Sequence, residues 1–210
     1  MNYLYNTQSN TLEEQLETPH LVLRPYQEGD ESDFMRLLQE NTAYLPPAFA
    51  GRLARVRALD DARSQVQQLR TDWDNRRTFD FGVWQKEDKS YVGNIALKNL
   101  DRSIPKAELG LYFTEWPATR DVAFEALQKV LGFAFGPLGM NKVYLRCTQA
   151  NESFGQVAEG CGFMKEGVLR CDYRGADSDE LLDLSYYGMT RQDFEQAQEQ
   201  WLETGSAAMA

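Results

Sequence analysis

A single histidine, His20, stands in this 210-residue chain and no G-x-S-x-G occurs, so little is present for Ser-His-Asp hydrolysis. The sequence also lacks a dinucleotide-binding glycine fingerprint and a cluster of metal ligands. Cys147, Cys161 and Cys171 are odd in number and show no C-x-x-C spacing, which argues against a disulfide framework or a zinc site and predicts three reduced thiols. Alternation with Val143 and Leu145 makes Cys147 a packed core thiol rather than a nucleophile. What is left is the chemistry of carboxylates, amides and phenols, whose bearers composition alone does not single out. A turn, Trp116-Pro117-Ala118-Thr119-Arg120-Asp121, leads into a helix, and the first N–H groups of a helix favour an anion.

Those residues need elements to hold them. His20 to Pro25 has the apolar and β-branched content of a strand, and Phe34, Leu37 and Leu38 recur at helical spacing after it. Asp60 to Trp73 places Ala62, Val66, Leu69 and Trp73 on one side of a second helix. Phe79–Gln85 and Tyr91–Leu100 read as an antiparallel hairpin, followed by a strand over Ala107–Phe113. In that strand Glu108, Gly110 and Tyr112 share one face and Leu109, Leu111 and Phe113 the other. Val122 to Phe135 carries the plainest helical pattern of the chain. A strand over Lys142–Thr148, a short helix over Glu152–Cys161 and strands near Met164–Tyr173 and Leu181–Met189 complete the order β-α-α-β-β-β-α-β-α-β-β.

The length suits one core, expected over residues 16–195, with 1–15 as an arm and 196–210 as a helical end and flexible tail, Thr204 to Ala210 being small enough for disorder. A hydrophobic fraction of 42% without a long apolar run indicates a soluble chain and no membrane. The amino terminus lacks the pattern of a secretory signal, which points to the cytoplasm. With a net charge of −10 no nucleic acid partner is expected; the negative field favours cationic acceptors, or serves solubility alone.

The order of elements and several local patterns resemble the GNAT superfamily of N-acetyltransferases, in its RimJ/RimL branch. Leu16-Glu17-Thr18-Pro19-His20-Leu21-Val22-Leu23-Arg24-Pro25 is similar to that branch's opening strand, with His20 where arginine is usual. Phe81-Gly82-Val83-Trp84 with Tyr91-Val92-Gly93-Asn94-Ile95 resembles its hairpin, Glu108-Leu109-Gly110-Leu111 its following strand, and Glu125-Ala126 its main helix. Asn151 with Gly162-Phe163, Glu166-Gly167-Val168-Leu169-Arg170, and Asp183 with Tyr186 match its closing part.

The resemblance implies an α/β (α+β) GNAT fold, a mixed central sheet of about six to seven strands flanked by helices. It implies acetyl transfer from acetyl-CoA to a primary amine, either a protein N-terminal α-amine or a small amine, by direct attack in a ternary complex. It leaves a homodimer open. Glu108 would be the catalytic residue, accepting the amine proton directly or through water; the other reading is a hydrogen-bonded strand carboxylate. The cofactor would lie along Leu111, Tyr112 and Phe113, with its diphosphate at Thr119, Arg120, Asp121, Val122 and Ala123, and its arm near Asn151 and Phe154. The chain departs from the family at three of these places: Thr119 and Asp121 replace glycines, and Phe154 replaces a serine, leaving no assigned general acid; Tyr112 and Tyr144 are candidates by residue type alone, and a packing part is the commoner one for a buried tyrosine. Thr119 and Asn151 also suit helix N-caps, and Asp121 suits a first helical turn. Two readings follow, an N-acetyltransferase and a non-catalytic binding or regulatory module of the same fold with a degenerate acetyl-CoA site.

Overall fold

The computed structural model describes residues 12–40, 47–114, 120–174 and 179–207. The described elements are β1 (Leu16–Glu17), β2 (Leu21–Arg24), α1 (Glu31–Glu40), α2 (Pro47–Arg55), α3 (Leu59–Asp74), β3 (Phe79–Gln85), β4 (Tyr91–Asp101), β5 (Lys106–Phe113), α4 (Arg120–Phe135), β6 (Lys142–Cys147), a 3-10 turn (Gln149–Asn151), α5 (Glu152–Gly160), β7 (Met164–Arg174), β8 (Leu181–Thr190) and α6 (Arg191–Ala207). The sheet has eight strands in the order β1-β2-β3-β4-β5-β6-β8-β7, one or two more than expected because the two-residue β1 carries no sequence pattern of its own. Every pairing is antiparallel except β5 with β6.

Alternation along the strands sends side chains into two apolar layers. One holds Leu23, Phe81, Ile95, Leu109, Leu111 and Phe113 against Ala126, Leu127 and Val130 of α4. The other holds Trp84, Tyr91, Ala96 and Tyr112 beneath Phe34 and Leu37 of α1, Phe49 of α2, and Val66 and Leu69 of α3. Helix α4 is apolar around most of its girth, as its position between the sheet and α5 and α6 demands.

Glu125 fixes the entry of α4 over the sheet. Its Oε1 accepts the His20 backbone N–H at 3.0 Å and its Oε2 stands 3.0 Å from the His20 ring Nδ1, so both the backbone and the side chain of His20 are held by one helix carboxylate. At the other end, α6 continues to Ala207, so the expected disorder of Thr204–Ala210 is corrected for its first four residues. Phe194 of α6 stacks on Phe135 and Trp201 meets Phe194 edge to face, which anchors the helix. The expected boundary after residue 195 falls inside this helix.

Candidate active site

Strands β5 and β6 pair only over Lys106↔Lys142, Ala107↔Val143 and Glu108↔Tyr144, although β5 runs on to Phe113 and β6 to Cys147. The strands therefore part after Glu108, and the β6-facing edge of residues 109–113 has no strand partner in the ladder. Because the pair is parallel, both carboxyl ends lie at the same sheet edge, where α4 and α5 begin. Two helix N-termini thus flank an opening between parallel strands, an arrangement suited to an anionic ligand. This brings together Leu111, Tyr112 and Phe113, the first turn Arg120-Asp121-Val122-Ala123, and Asn151 with Phe154.

Within that group the side chains differ. Leu111 and Phe113 are buried toward α4, while Ala123 and Phe154 belong to the same apolar layer. Arg120 and Asp121 are exposed, Val122 is half-buried, and Thr119 lies outside the described residues. Asp121 stands in the first turn of α4, where the helix dipole favours its charge. Asn151 occupies the N-cap position of α5 without a side-chain cap bond; its Nδ2 donates to Thr148 Oγ1 at 3.4 Å. Asn151 thus takes the N-cap position expected of it, by its backbone place and not through a side-chain bond.

Glu108 sits at the last rung of the β5–β6 ladder with a side chain only 2% exposed. Arg146, 33% exposed on β6, donates from Nε and Nη2 to Oε1 at 3.2 and 3.1 Å, and from Nη2 to Oε2 at 3.0 Å. Asn99 Nδ2 donates to Oε2 at 2.6 Å, and Lys98 Nζ stands 3.8 Å from Oε1. Buried carboxylates survive where such donors replace water. Burial opposes the Arg146 charge, but its hydrogen bond with Tyr186 and the Glu108 carboxylate hold its pKa above the ordinary value. Lys98 moves the other way: burial lowers its pKa, Glu108 opposes the shift, and nearby Arg52 and Arg146 reinforce it.

A second polar cluster lies on the same face, under α2. Arg52 Nη2 donates to Asp80 Oδ1 at 2.7 Å and Nη1 to Asn94 Oδ1 at 3.3 Å; Asn94 Nδ2 donates to Tyr26 Oη at 2.9 Å, which lies 2.7 Å from Tyr91 Oη. The neighbouring Tyr112 hydroxyl is buried beside Tyr91 and makes no close hydrogen bond among the described residues. Phe49 meets Tyr112 edge to face with centroids 4.8 Å apart, and a Cβ added at Gly110 would lie 2.8 Å from the tip of Phe49. Gly110 is thus the gap in β5 through which α2 reaches the backbone.

Glu108 and Tyr112 share the face that alternation assigned to them, and Tyr144 joins it half-exposed from β6. Burial, then Glu108, raises the Tyr144 pKa. Cys147 packs in the apolar layer, and burial pushes its thiol up to about 11. Arg146, Asn99, Lys98, Arg52 and Asp80 were not anticipated. Arg146 was within reach of reasoning, since a buried carboxylate at Glu108 requires a cation on an adjacent strand; the α2 residues lie in a segment that offered no pattern.

The model of the acetyltransferase (GNAT) domain matches residues 20–164. An uncharacterized N-acetyltransferase of Bacillus subtilis, YoaA, is 26% identical over 157 residues, 74% of this chain and 85% of that one. A putative ribosomal N-acetyltransferase of the same organism, YdaF, is 31% identical over 108 residues, 51% of this chain and 58% of its own length. Among solved structures, the ribosomal L7/L12 α-N-protein acetyltransferase RimL in complex with coenzyme A superposes with a TM-score of 0.74 at 15% identity, covering 84% of this chain and 98% of that one, a likeness of fold.

Proposed function

The chain belongs to the acetyltransferase (GNAT) domain family, and from that premise we propose that the opening between β5 and β6 holds acetyl-CoA while a primary amine attacks it directly. The protein is an acyltransferase with acetyl-CoA as donor. The observation that carries the placement is the parting of the parallel strands after Glu108 with two helix N-termini at its mouth. The residues fit the group: unpaired backbone along 109–113 suits the amides of the pantetheine arm, and the first turn of α4 suits the diphosphate. Asp121, being exposed, leaves the N–H groups of that turn approachable, which favours the enzyme over a degenerate binding module.

The amine approaches from the face of Glu108, Tyr112 and Tyr144. Both Glu108 oxygens already accept from Arg146, and Oε2 also accepts from Asn99, so few lone pairs are left to take up an amine proton. This occupancy favours a positioning part for Glu108, fixing Arg146 and the β5–β6 apex, with the amine proton leaving through water. Such chemistry suits an α-amine, whose pKa is about 8 against about 10.4 for a lysine. Together with YdaF and RimL as neighbours, it favours a protein N-terminus over a small amine as acceptor.

A cytoplasmic setting goes with this reading; among the described residues no helix is long and apolar enough to cross a membrane. A homodimer also belongs to it, since Met164, Val168, Leu169 and Leu181 lie exposed on the outer β7–β8 hairpin where a second copy would cover them. The test is coenzyme A release from acetyl-CoA with two acceptors, a peptide with a free α-amine and a polyamine. Faster turnover of the peptide is expected; turnover of the polyamine alone would overturn the acceptor assignment.

A further inference from the structure

Gly110, two residues past the last β5–β6 rung, is overlain by a lysine as well as by Phe49. The Lys98 side chain runs from β4 across β5 on the acceptor face, and its Cε lies 3.7 Å from where a Gly110 Cβ would stand. Its Nζ is 3.8 Å from Glu108 Oε1 and 5.3 Å from the centroid of the Phe49 ring. The chain therefore carries a primary amine of its own beside Glu108 and over Gly110, on the face from which the attacking amine is proposed to approach.

We infer that Lys98 is a site of self-acetylation, its Nζ taking the acetyl group from acetyl-CoA bound between β5 and β6 when no acceptor is present. This rests on the placement of acetyl-CoA proposed above. In the step, the neutral Nζ attacks the thioester carbonyl, a C–N bond forms and the C–S bond breaks. The hydrogen lost from nitrogen ends on sulfur, so that one amide and one free thiol replace one amine and one thioester. Burial lowers the Lys98 pKa, reinforced by Arg52 and Arg146 against the pull of Glu108, which raises the neutral fraction on which the step draws. Acetylation removes the Lys98 amine beside Glu108 and adds bulk over Gly110, so the modified chain is a poorer catalyst toward external amines.

The experiment is incubation of the purified full chain with acetyl-CoA and no acceptor, followed by intact mass, peptide mapping and thiol release, with calorimetry of acetyl-CoA binding alongside. One acetyl group per chain is expected on Lys98, with one thiol released per chain. Excess free coenzyme A should suppress it, and Lys98→Arg should abolish it while still binding acetyl-CoA. Binding without Lys98 modification would overturn the inference and leave the placement of acetyl-CoA standing. So would acetylation spread over surface lysines that coenzyme A does not suppress. Absence of binding by the wild-type chain at millimolar acetyl-CoA would overturn both.

Discussion

Arg146 of β6 lays its guanidinium on both carboxylate oxygens of Glu108 of β5, two residues after the ladder between these strands has ended. The pair ties the strands together where their backbones separate, and so sets the apex of the opening.

Breaking that pair from one side leaves a buried carboxylate without its main donor. Arg146→Met is expected to cost about 3 kcal/mol in urea unfolding, since stranded buried charges are expensive. Adding Glu108→Gln should restore part of the loss, because the amide needs no counter-charge. Additive losses in the double variant would show that the two side chains do not depend on each other.

The kinetic consequence of Glu108→Gln separates positioning from proton acceptance. With a lysine-like acceptor, turnover is expected to fall roughly tenfold or more by a constant factor between neutral and alkaline pH, with acetyl-CoA affinity little changed. A deficit that closes as pH rises, where the amine is already neutral, would assign Glu108 the part of base.

Tyr112→Phe removes a buried hydroxyl that makes no close hydrogen bond among the described residues, and an unmet hydroxyl costs about 1–3 kcal/mol to bury. The unliganded variant should therefore melt at the wild-type temperature or above it. A destabilisation of more than about 1 kcal/mol would mean that the hydroxyl is bonded in solution.

Glu125 gives the acid limb of stability a definite sign. Burial raises its pKa, but hydrogen bonds from Thr18 and from the His20 backbone and ring outweigh this and hold it below the ordinary carboxylate value. A folded value below the unfolded one means stabilisation is complete above about pH 4.3, the unfolded value, and is lost as pH falls through the folded value. Glu125→Gln should flatten that part of the acid unfolding curve; an unchanged slope would contradict the assignment.

Strand and helix positions were largely legible because β3–β5 are apolar and aromatic runs buried on both faces and 3.6-residue periodicity persists in α3–α4. Helix α2 was not, because Pro47–Arg55 is only nine residues long and rich in alanine and glycine, and Arg52 is held by the distant Asp80. The face carrying Glu108 and Tyr112 followed from alternation, whereas the partners of Glu108 depend on β4 and β6 flanking β5, which only topology reveals. Asp121 and Phe154 were visible as departures from a family pattern, but their exposure and burial were set by packing.

Backbone hydrogen exchange with and without saturating acetyl-CoA tests the placement of the donor most directly, because it reads the amides that are to hold it. The account predicts slower exchange at residues 109–113 and 120–123, with no change in the outer strand β7. Protection confined to other segments, or none at millimolar acetyl-CoA, would contradict it.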